Sequence, residues 1–212
     1  QSLEVTIIED ESIPSVTLTT SLDSVLEDGG VSQIIATLSH ASTQDITVSL
    51  STSGSASQVA DYILSNTIVI SAGSEQNSIT LTSVNDTVYE GDETAIISIS
   101  GVSNGTEDGS KSLDVTLIED ESEPIVTLTL SHSSLNENGG SLYLIAALSH
   151  ASTQNVVVNL GASGPATHNV DYSLSNSLSI LAGTLRDSIV LTAINDTIYE
   201  GDEAATISIA SL

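Results

Sequence analysis

Ile46-Thr47-Val48-Ser49-Leu50 alternates apolar and hydroxylated side chains with period two. Successive residues of a strand point to opposite faces, so this run buries Ile46, Val48 and Leu50 and leaves Thr47 and Ser49 toward solvent. Val16-Thr17-Leu18-Thr19 and Ile79-Thr80-Leu81-Thr82 read the same way. No stretch sustains a helical apolar stripe, which predicts an all-β chain. Working outward, one stretch of about 110 residues predicts seven strands, near 15–21, 31–38, 45–51, 66–71, 76–84, 94–100 and 112–118. Clusters of Gly, Asn, Asp and Ser separate them. That number of short strands in that length is the pattern of an immunoglobulin-like sandwich. With aromatics at 2% and no Phe, Trp, Met or Cys, its core must be aliphatic and close-packed. Tyr89 and Tyr199, just before the sixth strand, are expected to form tyrosine corners.

The pattern occurs twice, offset by 110 residues without insertion or deletion. Leu38-Ser39-His40-Ala41-Ser42-Thr43 returns as Leu148-Ser149-His150-Ala151-Ser152-Thr153, and Asp61-Tyr62 returns as Asp171-Tyr172. Tyr89-Glu90-Gly91-Asp92-Glu93 returns as Tyr199-Glu200-Gly201-Asp202-Glu203. A repeat this long means two copies of one domain rather than a short-period solenoid. Its phase is unusual. Residues 2–12, Ser-Leu-Glu-Val-Thr-Ile-Ile-Glu-Asp-Glu-Ser, match residues 112–122, Ser-Leu-Asp-Val-Thr-Leu-Ile-Glu-Asp-Glu-Ser, which are the seventh strand of a repeat and its tail. The expected organisation is therefore an orphan last strand at 1–12, a complete sandwich at 13–122, and a second sandwich at 123–212 lacking its own last strand.

Charge narrows the partners. The 212 residues carry 28 acids against two basic residues, Lys111 and Arg186, for a formal net charge of -26. Nucleic acid is excluded as a partner, because phosphate contacts need Lys and Arg, and an anionic membrane surface is excluded on the same ground. No apolar run approaches the roughly 20 residues of a membrane-spanning helix, so no membrane insertion is expected. Without cysteine there is no disulfide and no thiolate metal site. High net charge with few aromatics is also the mark of disorder, but the period-two Val, Ile and Leu pattern argues for a packed fold.

The run Asn85-Asp86-Thr87-Val88-Tyr89-Glu90-Gly91-Asp92-Glu93, with Ala72-Gly73 before it and Leu117-Ile118-Glu119-Asp120-Glu121 after it, resembles the Calx-beta domain. This is the calcium-binding sandwich of sodium/calcium exchangers and of large bacterial surface proteins. The resemblance covers nearly the whole chain in both copies. It implies Ca2+ at one end of each sandwich, where acidic loops meet the end of the last strand. By position, the first copy offers Glu27, Asp61, Asp86, the Val88 carbonyl, Glu90, Glu119, Asp120 and Glu121. The second offers Glu137, Asp171, Asp196, the Ile198 carbonyl and Glu200. Glu9, Asp10 and Glu11 are the second copy's acidic run, displaced to the N-terminus. Calcium takes six to eight hard oxygen ligands, and carboxylates gathered without a cation repel one another. The sequence departs from the exchanger pattern at Asn85, Thr87 and Asn195, which implies a weaker or missing second ion. Asp92, Asp202, Glu107 and Asp108 read as solvated turn residues, and Glu93 and Glu203 as backbone partners before the sixth strand. His40, His132, His150 and His168 show no paired ligand spacing.

No nucleophile–base pair or phosphate-cradling Gly loop is present, so no enzyme is expected. Three functional readings stand at this point. The first is an extracellular or cell-surface structural or adhesion module in which calcium rigidifies domain junctions. It extends to a filament subunit polymerising head to tail by N-terminal strand donation. The second is a fragment of a long adhesin array, partnered by neighbouring repeats. The third is a calcium-sensing regulatory pair. With no signal peptide, Gln1 is expected to be a mature or cloned start.

Overall fold

The computed structural model describes residues 2–109 and 112–212, an all-β chain without a helix that could cross a membrane. Two compact units emerge. One comprises Gln1–Asp86 with Gly91–Asp120, the other Thr87–Glu90 with Glu121–Leu212.

The first unit is two five-stranded sheets face to face. One runs β5 (Tyr62–Ile63), β7 (Gln76–Ser83), β3 (Val31–Leu38), β1 (Ser15–Thr20), β9 (Thr106–Glu107). The other runs β2 (Ser24–Leu26), β10 (Ser112–Ile118), β8 (Glu93–Ser103), β4 (Ile46–Gly54), β6 (Thr67–Ile70). The inward residues form one continuous core, including Val16, Ile34, Val48, Ile68, Leu81, Ile97, Val115 and Leu117. Ile46, Val48 and Leu50 are buried as the alternation requires, between Thr47 and Ser49 on the outer face. The seven expected strands are present; β2, β5 and β9 are additional, each two or three residues long and too short to leave a period-two trace.

β10 pairs antiparallel with β8, Val115 opposite Ala95, and parallel with β2, Leu117 opposite Val25. It therefore lies between two strands and closes the core over Val115 and Leu117.

At the end of β4, Gly54 has φ +114, and a Cβ there would collide with the Thr94 carbonyl oxygen. Gly164, 110 residues later, has φ +117 and the same conflict with the Ala204 carbonyl. Only glycine suits this backbone. Gly54→Ala is expected to cost the first unit about 2–4 kcal/mol, from the unfavourable φ and displacement of β8. Urea denaturation measures it; a loss no larger than that at an exposed serine would contradict the assignment.

The second unit has a four-stranded sheet, β11 (Val126–Leu130), β12 (Ser141–Leu148), β16 (Arg186–Ala193), β14 (Tyr172–Ser173), and a three-stranded one, β15 (Ser177–Ile180), β13 (Val156–Ser163), β17 (Thr206–Ser211). Register is conserved down to the irregularity between Ser49 and Leu50, which recurs between Asn159 and Leu160. Among the described residues no counterpart of β2 is formed. Ser134–Asn136, in the position of β2, is coil, whereas β2 pairs with β10. The core divides into two smaller clusters, one around Ala146, Val158 and Ile180 and one around Leu142, Tyr172 and Leu191. Ala205, Ile207 and Ile209, equivalent to the buried Ala95, Ile97 and Ile99, are only half-buried.

Residues 2–10 form no strand within the free chain, with Leu3 94% and Ile7 93% exposed. One expectation needs correction. Tyr199 is 96% exposed, so it forms no corner. Tyr89 is held through its backbone, its N–H donating to the Ala151 carbonyl at 2.9 Å and its carbonyl accepting from Thr153 N–H at 3.1 Å.

Candidate metal centre

Glu27 is the first residue after β2. Its N–H donates to the Ile118 carbonyl at 2.9 Å, and a tight turn through Gly29 and Gly30 follows. The parallel pairing of β2 with β10 thus delivers Glu27 beside the acidic run that ends β10. One carboxylate oxygen from each of Glu27, Glu119, Asp120 and Glu121 lies within 4.8 Å of the others. Glu27 is only 6% exposed, unusual for a glutamate.

A second group, with the same spread, joins Asp61, Glu90 and Glu93. Asp61 is fixed by its own turn: its carboxylate accepts the Ser57 N–H, and its carbonyl accepts Val84 N–H at 2.8 Å. Two hydrogen bonds tie the signature loop to the end of β10. Gly91 N–H donates to Glu119 Oε2 at 2.7 Å, and Glu119 N–H donates to Asp92 Oδ1 at 3.0 Å.

In the second unit Asp171, Glu200 and Glu203 form the matching group. Asp171 takes the Thr167 N–H as Asp61 takes that of Ser57. Glu137 is exposed, where Glu27 is buried; its carboxylate accepts the Asp196 N–H at 3.4 Å, and Asp196 Oδ1 accepts Ile198 N–H at 2.6 Å. Local desolvation first, then the charges of Asp171, Asp196, Glu203 and Glu137, hold the Glu200 carboxyl above the usual glutamate range. The neighbouring charges raise the cost of ionising Glu200. Glu9, Asp10 and Glu11 make a fourth group, fully exposed. The hydrogen bond between their side chains lowers the Glu9 carboxyl and raises that of Glu11.

The structure therefore gathers Glu27 with Glu119–Glu121, and Asp61 with Glu90. Asp86 and Asp196 lie outside these groups, and Val88 and Ile198 belong to the loops leading to Glu90 and Glu200. Sequence reasoning missed Glu93 and Glu203, which stand three residues beyond Glu90 and Glu200 across a glycine turn. It also missed Asp92, read as solvated, which instead receives the Glu119 amide. His40 and His150 serve the backbone: each Nε2 donates to a carbonyl 28 residues earlier, Ser12 at 2.8 Å and Ser122 at 2.7 Å.

The donor set is oxygen alone, multiply anionic, and partly withdrawn from water at Glu27. Those properties suit a hard divalent ion of calcium's size and ligand number, so the residues present fit calcium. Glu27 and Glu119–Glu121 would hold it from β2 and β10, and Asp61, Glu90 and Glu93 from the adjoining loops.

The family described as the Calx-beta domain matches residues 9–122 and again 119–212. No curated protein matches the chain. Among solved structures, CBD12 from CALX1.2 is 17% identical over 84% of this chain and 74% of its own, with a TM-score of 0.46. The calcium binding domain CBD12 of CALX1.1 is 17% identical over 87% and 76%, at 0.42. The apo-form CBD1 domain of Calx is 18% identical over 50% and 99%, at 0.44.

Proposed function

Because the chain belongs to the Calx-beta family, whose domains are calcium-binding modules, we propose that it is an extracellular structural or adhesion protein that uses calcium to stiffen a string of sandwiches. The observation that carries this reading is the gathering of Glu27 with Glu119, Asp120 and Glu121. A bound ion there clamps β2 to the end of β10. It also fixes the run through Ser122-Glu123-Pro124 that carries the chain into the second repeat, where Pro124 already restricts the backbone. A cluster of acids needing a cation suits a medium rich in calcium, and extracellular modules bind it at about 10⁻⁴–10⁻³ M. The partners are copies of the same chain or neighbouring repeats.

Calorimetric titration of the chelator-treated chain with calcium chloride tests the reading. The expected result is saturable binding in that range, and a rise in melting temperature equivalent to about 2 kcal/mol at fifty-fold excess over Kd. Heats no different from those of magnesium chloride, with no thermal shift, would dispose of it.

A further inference from the structure

We propose that the outward face of β11, β12 and β16 in the second unit docks on the same face of a second copy of the chain, around a two-fold axis at Ile145.

The two repeats part company on this face. In the first unit Gln33 stands opposite Thr80 in the pairing of β3 with β7. Gln33 Nε2 donates to Thr80 Oγ1 at 2.9 Å, so that pair satisfies itself. In the second unit the same ladder position sets Tyr143 opposite Val190. Neither is covered, Tyr143 being 54% and Val190 47% exposed. Two residues further along, Ile145 faces Ser188, and two beyond that Ala147 faces Arg186. The first unit keeps the isoleucine, as Ile35 opposite Ser78, but ends in Thr37 opposite Gln76. A cross-strand hydrogen bond has thus been exchanged for an aromatic and a β-branched side chain standing together in water. Single exposed apolar residues are ordinary, whereas a contiguous apolar patch marks a contact surface.

Charge and shape both make the occupant a second copy. Two chains of net charge -26 repel one another at most approaches. The outward positions of β11, β12 and β16 carry no Asp or Glu, so a contact made there buries no carboxylate against another. Along β12 the outward side chains also run from large to small, Tyr143, Ile145, Ala147. A two-fold at Ile145 reverses that order in the second molecule. Tyr143 then rests on the partner's Ala147, and Ile145 on the partner's Ile145. Arg186, one of two basic residues in the chain and the cross-strand neighbour of Ala147, comes to the face of the partner's Tyr143 ring, where a guanidinium is attracted. Two sheets stacked in this way lie about 10 Å apart with their strands nearly aligned. The same patch serves both molecules, so the contact is isologous and closes at two. It uses none of the calcium ligands and goes beyond the calcium reading.

Sedimentation velocity of the full chain in chelator, at several concentrations and at low and high sodium chloride, is the test. A reversible monomer–dimer equilibrium is expected. It should tighten as salt rises, because salt screens the mutual repulsion and leaves an apolar contact in place. Tyr143→Gln with Val190→Thr installs the pair that the first unit already carries, so the variant should keep its circular dichroism. It should weaken the dimer by ~100-fold or more, each lost contact counting twice across the axis. Ile145→Thr should weaken it by ~10-fold, while Ile35→Thr, the same change on the first unit's face, should leave it unmoved. A chain that stays monomeric at every concentration and salt would overturn the proposal and leave the face to a partner of other chemistry. So would a dimer untouched by the double variant, or one weakened as much by Ile35→Thr as by Ile145→Thr.

Discussion

Glu27→Gln is expected to raise the melting temperature of the calcium-free protein while weakening calcium binding by tenfold or more. In the absence of a cation, a nearly buried carboxylate is held against Glu119, Asp120 and Glu121. Carboxylates gathered this closely repel one another where ionised, and an amide of the same shape at Glu27 removes one of those charges without opening a cavity. The expected gain is about 1–3 kcal/mol in the first unit. With calcium in excess the order reverses, because the carboxylate is now a ligand and the amide a weaker one. Paired thermal melts in chelator and in calcium report both signs. A variant less stable than wild type in both buffers would mean that Glu27 is held by structural hydrogen bonding, and that its burial says nothing about a metal.

The second large effect separates the two sandwiches. Ile97 is fully buried within the continuous core of the first unit, and truncating it to alanine should cost about 2–5 kcal/mol. Ile207 occupies the equivalent position and is only half-buried, so Ile207→Ala should cost about half as much or less. Denaturation is expected in two steps, the second unit first, since its buried residues divide into two smaller clusters where the first unit has one continuous core. Ile97→Ala should lower only the later step and Ile207→Ala only the earlier. Fluorescence cannot follow this in a chain without tryptophan; calorimetry or urea titration by circular dichroism can. A single transition moved equally by both substitutions would contradict the inequality of the cores.

The fold was legible wherever one sheet face is buried, because burial imposes period two. Ile46–Leu50 declared itself for that reason. Tyr62–Ile63 and Thr106–Glu107 did not, since two residues have no period. β2 was illegible for a different reason: Ser24–Leu26 becomes a strand only beside β10, some ninety positions later. In the candidate site, the acids nearest the Tyr-Glu-Gly-Asp-Glu signature were readable from its form. Their division was not. Glu90 sides with Asp61 and Glu93, whereas Asp92 spends its carboxylate on the Glu119 amide. That choice is set by which way each side chain leaves the turn at Gly91, and spacing alone does not encode it. The tyrosine corner failed at Tyr199 because analogy supplied the position but not the packing that would bury the ring.

The exposed segment before Ser12 has a practical meaning at the bench. A protease meets it first, since extended, unpaired chain fits an active-site cleft and both sandwiches behind it do not. A preparation clipped there would keep its circular dichroism and its melting profile, and would differ by roughly a kilodalton. Intact mass is therefore the assay that tells a whole molecule from a trimmed one.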